Sequence, residues 1–328
     1  MNSKEKQLER ARVAPLPLLL NAHIERWLLE DAPSFDFSGS LVDLRPASGT
    51  LWQKSAGVVA GRPFFDAVFE TLGCSVTWRD EGTTSTTSLE GQYWDGAEGS
   101  SSAGKRPLAT VRGPARRLLQ GERTALNLLS RCSGVATRAR QFKQLCRVRQ
   151  WHGVIAGTRK TTPGFRLVEK YGMHIGGADM HRVDLSGMIM LKDNHLACIG
   201  LELQRAPDDP IVIQEAVRRA RNCAGFSVSV EVECGSEASA LAAITAGADV
   251  IMLDNMDPET FCETAKRLRE KTATMPHCRY LIEASGGITL ETAPRYMCAA
   301  ADIISVSLSQ GYECVDYSLK VSFTNREA

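Results

Sequence analysis

From Trp151 onward the chain alternates short apolar runs of strand length with segments of helical character, and this rhythm constrains the fold more than any other feature. The runs lie at residues 154–156, 188–191, 228–232, 250–253, 280–284 and 303–306. Helix starts are legible between them. Asp257-Pro258-Glu259 pairs an N-cap Asp with Pro in the first turn, and Ser236-Glu237 precedes an Ala-rich stretch. Successive strands joined by right-handed crossovers form a parallel sheet or barrel. All their C-terminal ends then open on one face, where the active sites of such barrels lie.

What stands at those ends is informative. The first run leads into Gly157-Thr158-Arg159-Lys160, the second into Lys192-Asp193-Asn194-His195, and the third carries Glu231 and leads into Glu233. The fourth ends at Asp254-Asn255 and the fifth at Ser285-Gly286-Gly287; His181-Arg182 lie in an intervening loop. Arg159, Lys160, His181, Arg182 and Lys192 gathered on one rim suit an anionic ligand, because guanidinium groups grip planar carboxylates in bidentate fashion. The alternative, solvated loop charge, explains one such residue better than five. Glu233 and Asp254 end consecutive strands. Neighbouring carboxylates hold a divalent metal or sugar hydroxyls, stabilise a developing cation, or form structural ion pairs with local Lys and Arg. Neither has the His or Cys company of a zinc site, and magnesium arriving with a phosphate ligand fits better. Glycines in the 285–287 turn, followed by a helix expected near Leu290, form a phosphate cradle. Cys234 reads as a packed thiol, not a nucleophile, since no His stands at a telling spacing.

Composition narrows the class. Lys plus Arg number 39 against 38 Asp plus Glu, so a net charge of +1 argues against a nucleic-acid coat and makes any useful electrostatics local. The ten cysteines are scattered without a CxxC pair and read as reduced thiols. Residues 1–12 are rich in Lys, Arg and Glu, and the apolar stretch 16–20 is broken by Pro17 and too short for a membrane span. These features predict a cytoplasmic enzyme that meets neither membrane nor nucleic acid. Residues 24–119 read as a small α+β unit with a helix at 24–30 and strands near 58–60, 74–78 and 108–112. Within it, 80–106 is dense in Gly, Ser and Thr and reads as a flexible loop without chemistry. Apolar spacing over 115–145 predicts a long helix or helix pair.

The strings Gly157-Thr158-Arg159-Lys160-Thr161-Thr162-Pro163-Gly164, His181-Arg182, Leu191-Lys192-Asp193-Asn194-His195, Glu231-Val232-Glu233-Cys234, Leu253-Asp254-Asn255 and Glu283-Ala284-Ser285-Gly286-Gly287-Ile288-Thr289 closely resemble quinolinate phosphoribosyltransferase, the carboxylating nicotinate-nucleotide pyrophosphorylase. So does Gly121-Glu122-Arg123-Thr124-Ala125-Leu126-Asn127, and the motifs keep the family's order from about residue 64 to 318. The resemblance implies an α/β fold: an N-terminal α+β open-faced sandwich over 1–124, an incomplete TIM-like barrel over 125–309, and a segment 310–328 packing back on the N-terminal domain. It implies that quinolinate and phosphoribosyl pyrophosphate (PRPP) give nicotinate mononucleotide, pyrophosphate and carbon dioxide in NAD biosynthesis, with magnesium and no organic cofactor. It implies a homodimer, or a hexamer built from it, with shared active sites.

By the same resemblance Arg123 reaches quinolinate across the dimer, and Arg159, His181 and Arg182 bind its carboxylates. Lys160 and Lys192 face the junction of quinolinate and pyrophosphate. Glu233 and Asp254 meet the ribose hydroxyls and metal, and Ser285, Gly286 and Gly287 the 5'-phosphate. Where the family often has a phosphate-binding glycine near the last strand, this chain aligns Ser307, which keeps the N–H but not a glycine-only conformation. Two other readings are a salvage enzyme acting on the monocarboxylate nicotinate, which needs fewer cations, and a non-catalytic scaffold, which has no use for intact charged strand ends.

Overall fold

A computed structural model describes residues 16–79, 88–96, 104–275, 278–311 and 313–323. The chain divides into two compact units, one drawn from 1–139, 162–177 and 311–328, the other from 140–161 and 178–310.

The first unit is built on a four-stranded antiparallel sheet ordered β12-β1-β5-β3, where β1 is Pro46–Gln53, β3 Ser75–Trp78, β5 Arg106–Pro114 and β12 Tyr317–Phe323. Strand β1 alternates strictly, burying Ala47, Gly49, Leu51 and Gln53 on one face. That face packs on helices α1 (Leu20–Asp31) and α2 (Arg62–Thr71), whose Phe64, Phe65 and Phe69 are fully buried with Trp78 and Leu108. Each such aromatic contributes on the order of 1.5–3 kcal/mol of burial energy. Trp78 shows why a large amphipathic ring is tolerated there: its Nε1 donates to Asp66 Oδ1 at 2.8 Å.

Three expectations change here. Residues 115–149 form a single helix, α3 (Ala115–Arg149), running through the anticipated boundary at residue 124. The units divide at 139/140 instead, and 162–177 joins the first unit because α4 (Arg166–Gly176) buries Val168 and Tyr171 in its core. The segment 80–106 is not a loop throughout. Residues 80–87 and 97–103 lie outside the described residues, but between them β4 (Tyr93–Trp94) pairs with β2 (Gly57–Val58). There Glu90 accepts from the Gly61 N–H (2.8 Å), the Arg62 N–H (3.2 Å) and the Tyr171 hydroxyl (2.9 Å). One carboxylate thus ties three segments together. Strand β12 pairs with β1 from Gln53↔Tyr317 to Ala47↔Phe323, so residues after the barrel complete the sheet.

The second unit is a six-stranded parallel sheet ordered β6-β11-β10-β9-β8-β7: β6 Val154–Gly157, β7 Ile189–Leu191, β8 Val230–Cys234, β9 Val250–Asp254, β10 Leu281–Ser285 and β11 Ile303–Val306. Helices α5 (Asp193–Leu203), α6 (Pro210–Ala224), α7 (Glu237–Thr245) and α8 (Pro258–Thr272) fill the crossovers. Asp257 caps α8 as its spacing predicts, with Oδ1 accepting from Thr260 N at 3.0 Å, and Ser236 caps α7. The barrel is incomplete. β6 and β7 do not pair, and the outer side of β6 is taken by a single parallel bridge from Ala156 to Asp179.

Register explains the division of labour. Glu231↔Val250↔Leu281 and Glu233↔Met252↔Glu283 pair across β8, β9 and β10, and Asp254 pairs with Ser285. These residues share one face by the period-2 rule. The opposite face, Val230, Val232, Ile251, Leu253, Ile282 and Ala284, is wholly apolar and buried. On the inner face β9 and β10 start apolar, β8 carries Glu231 in that same layer, and the next layers hold Glu233, Glu283 and Asp254. Beneath the charged layer a cavity of about 520 Å³ is lined by Val154, Val250, Leu281 and Ile303 and reaches His181 and Arg182.

Candidate active site

Because the strands are parallel, the C-terminal end of each delivers its side chain to one rim. Arg159 and Lys160 follow β6, whose exit is held by the Thr158 N–H donating to Val306 O at 3.0 Å. Arg159 is partly buried, and its Nε is buried without a hydrogen-bond partner. Lys160 is exposed. A buried unpaired guanidinium N–H costs free energy until an acceptor arrives, which suits a group waiting for an anion.

Lys192 heads α5, and its ammonium forms a close ion pair with Glu233 Oε2. Asp254 closes β9 and accepts from Asn255 Nδ2 at 2.5 Å. Asn255 occupies the left-handed region (φ 55°) and donates its N–H to Ser285 O at 3.0 Å, locking the β9 and β10 exits together. Gly286 (φ 100°) and Gly287 (φ 60°) then turn away. At Gly286 a Cβ would fall 2.4 Å from Asn255 Oδ1 and 2.8 Å from its backbone nitrogen, so only glycine permits the approach.

The helix expected near Leu290 begins later. Only the four-residue α9 (Ala293–Tyr296) follows, so the turn offers backbone N–H groups without a helix terminus directly behind it. Ser307, just past β11, is not among the residues in the left-handed region. The alignment of Ser at this position therefore requires no glycine-only conformation, and its hydroxyl donates to Gln310 Oε1 at 3.1 Å.

Below the rim, the loop bridging to β6 brings in His181 and Arg182. His181 has a φ of 51°, with its N–H on Asp179 Oδ1 at 2.6 Å. Its ring Nε2 donates to Glu283 Oε2 at 3.0 Å and lies 3.7 Å from Glu231 Oε2. A carboxylate only accepts, so Nε2 carries the proton. Arg182 places Nη2 3.0 Å from Met190 Sδ, and burial lowers its pKa. Glu231 and Glu283 are fully buried. Burial first, and the neighbouring Glu283 second, push the Glu231 carboxyl up to about 9, so it stays protonated at neutral pH.

The structure thus gathers Arg159, Lys160, His181, Arg182, Lys192, Glu233, Asp254, Ser285, Gly286, Gly287 and Ser307 within the barrel unit. Arg123 lies in the other unit, exposed on α3. Sequence reasoning gave no role to Glu231 and Glu283, which the structure buries beside His181. Their signal is a charge at an inward position of an otherwise apolar strand. Cys234 is buried, with its thiol pushed up to about 12 by desolvation, and is no nucleophile.

An open parallel barrel that rings a glycine turn and two carboxylates with arginines and lysines defines an enzyme handling carboxylate and phosphate ligands. Residues 37–133 match the N-terminal domain of quinolinate phosphoribosyl transferase and residues 135–320 its C-terminal domain. The chain is 44% identical to the carboxylating nicotinate-nucleotide pyrophosphorylase of Rattus norvegicus (93% of this chain, 92% of the relative). It is 42% identical to the Homo sapiens enzyme of that name over the same shares. The crystal structure of NadC from Streptococcus pyogenes superposes with a TM-score of 0.77 at 31% identity, covering 95% of this chain and all of that one. The chain belongs to the quinolinate phosphoribosyltransferase family.

Proposed function

We propose that this chain joins quinolinate to PRPP, giving nicotinate mononucleotide, pyrophosphate and carbon dioxide in NAD biosynthesis. The observation that carries the reading is the layered inner face: an unpaired Arg159 Nε and the His181–Arg182 pair stand beside a Lys192–Glu233 ion pair and a Gly286 turn, all on one barrel unit. Quinolinate is a pyridine dicarboxylate, and Arg159, His181 and Arg182 supply donors for two carboxylates. The Gly286–Gly287 backbone and Ser307 receive the 5'-phosphate, and Lys160 and Lys192 the pyrophosphate. Arg123 of a second subunit completes the quinolinate site in a homodimer.

Binding orients the ring nitrogen toward the ribose C1. As pyrophosphate leaves, C1 becomes oxocarbenium-like, and Asp254 with Glu233 stabilises that charge more in the transition state than in the ground state. Lys192 shifts from Glu233 toward the departing oxygens. After the nitrogen attacks, the C2–carboxylate bond breaks to release carbon dioxide, the adjacent cationic ring nitrogen stabilises the electron pair left on C2, and a proton from water takes up that pair, so no protein nucleophile or organic cofactor enters. Glu233 and Asp254 offer hard oxygen donors on neighbouring strands and fit magnesium, with Lys192 competing for Glu233. Bound there with PRPP, magnesium would supply neutralisation of phosphate charge.

A nicotinate salvage reaction is disfavoured because one carboxylate leaves Arg159, His181 and Arg182 over-provided. Among the described residues no helix is long and apolar enough to cross a membrane. A cytoplasmic setting belongs to the proposal, and the scattered free thiols fit it. The test is turnover of quinolinate with PRPP and magnesium, following carbon dioxide and the mononucleotide, with nicotinate as the competing acceptor. Absence of turnover by folded protein, or preference for nicotinate, refutes the reading.

A further inference from the structure

Two fully buried carboxylates have no task in the transfer steps, yet burying an acid without partners costs several kcal/mol. Three of their four oxygens, Glu231 Oε1 and Oε2 and Glu283 Oε1, lack a hydrogen-bond partner, and the fourth is held only by His181 Nε2. Such an expense is unexplained by packing, since apolar residues would fill these inward positions as they do at Val250 and Leu281. His181 is itself constrained twice, by a left-handed backbone whose N–H is gripped by the exposed Asp179, and by the ring contact to Glu283. Non-glycine residues hold that conformation only where surrounding structure enforces it, and such strain gathers at functional sites.

We propose that Glu283, with Asp179 acting on the backbone, is a positioning residue: it holds Nε2–H of the His181 ring so that, in the doubly protonated ring, Nδ1–H donates to the second carboxylate of the acceptor together with the adjacent Arg182. This rests on the assignment of His181 and Arg182 to that acceptor. Glu283 takes Nε2 and so dictates which ring nitrogen remains for the ligand. Glu231, 3.7 Å from the same nitrogen, closes the other side of the ring's seat. The acceptor is thereby read as a dicarboxylate: one carboxylate falls to Arg159, the other to the ordered His181–Arg182 pair.

The same three side chains lie close enough to enclose a cation, their ligand atoms all within 4.8 Å of one another. The Glu283–His181 hydrogen bond and the Arg182 charge already occupy that space, which favours positioning over a metal centre.

The test uses the full chain and three variants: Glu283→Gln, which keeps shape and removes charge; Glu283→Asp, which keeps charge but withdraws it from the ring; and Asp179→Ala, at an exposed position outside the buried layer. Benzene-1,2-dicarboxylate, the quinolinate analogue without a ring nitrogen, is titrated calorimetrically, and KM is measured for each substrate. Glu283→Gln and Glu283→Asp are expected to raise the benzene-1,2-dicarboxylate Kd and the quinolinate KM about tenfold or more, leaving the PRPP KM within about twofold. Asp179→Ala moves the same two constants about threefold, and decides the matter if the Glu283 variants do not fold. Wild-type affinity in all folded variants overturns the proposal, as does a parallel rise in both KM values, which marks a loosened barrel. A stoichiometric divalent ion in wild-type protein that Glu283→Gln loses overturns it in favour of a metal centre. If wild-type protein fails to bind benzene-1,2-dicarboxylate, the underlying carboxylate assignment falls, a failure distinct from that of Glu283.

Discussion

Gly286 and Gly287 allow a paired experiment, because both have positive φ but only one is crowded. Alanine at either position carries a left-handed penalty of about 1–2 kcal/mol. At Gly287 nothing lies within 4 Å of the added Cβ, so the cost ends there. At Gly286 the Cβ meets Asn255 at 2.4 Å from Oδ1, 2.8 Å from N and 2.9 Å from Cα, and two of these are backbone atoms that cannot swing aside. Asn255 must move, which adds overpacking strain of about 1–3 kcal/mol. The Asn255 N–H to Ser285 O bond also weakens, at a cost of about 0.5–1.5 kcal/mol. Gly286→Ala should therefore destabilise by roughly 1.5–4.5 kcal/mol more than Gly287→Ala, as the sum of the two added costs.

The kinetic consequence follows from the turn's task. Moving it by a few tenths of an ångström misaligns one N–H from a phosphate oxygen, and a hydrogen bond to a charged group is worth about 1.5–3 kcal/mol, or about 10- to 150-fold in affinity. The assay is steady-state kinetics with each substrate varied at saturation of the other, beside calorimetric unfolding. The PRPP KM of Gly286→Ala should rise at least about tenfold while that of quinolinate stays within about threefold. Equal impairment by Gly287→Ala would show that φ alone matters and refute the close-approach argument. A wild-type PRPP KM in Gly286→Ala would remove the turn from the phosphate site.

Removing one charged donor in Arg182→Ala should raise the quinolinate KM about tenfold or more, and unchanged quinolinate kinetics would remove Arg182 from the acceptor site. Arg123→Ala and Lys160→Ala should each be inactive and regain partial activity on mixing, and no recovery despite proven subunit exchange would exclude a shared site. Glu231 keeps its proton in the fold up to about 9 but ionises above about 4.5 when unfolded, so it subtracts stability progressively as pH rises through that window. Glu231→Gln should therefore gain in Tm relative to wild type from pH 5 to pH 8.5; a constant difference would place the carboxyl in an ionised state. Buried Cys234, titrating near 12, should resist iodoacetamide at pH 8 in folded protein, and rapid labelling there would contradict its burial.

The β/α rhythm was legible because each strand of the barrel shows a wholly apolar outer face, and that pattern survives errors of one or two residues at the ends, as at β8, read at 228–232 and observed at Val230–Cys234. Strand β1 was not legible. Its buried set is Ala47, Gly49, Leu51 and Gln53, three of them small or polar, so alternation carries almost no hydrophobic contrast. β4 was hidden by the Gly- and Ser-rich text around it. At the site, the residue types at strand ends announced an anion, since position along a parallel strand already fixes the rim on which each falls. Partnership did not follow: that Lys192 seeks Glu233, or that His181 reaches Glu283, depends on sheet register and a loop conformation that no local spacing encodes.

The pairing of β1 with β12 has a consequence for how the chain is made. When β5 leaves the ribosome, β1 and β5 can already pair, but the other edge of β1 stays open until Tyr317–Phe323 emerges. At about 5–20 residues per second, the roughly 200 residues between them take on the order of 10–40 s to synthesise. Throughout that interval the nascent sheet presents a row of unsatisfied backbone groups, the usual template for misplaced strand addition. The barrel sequence is thus translated inside an unfinished neighbour, so a mutation that slows barrel folding should show itself first as aggregation seeded by β1.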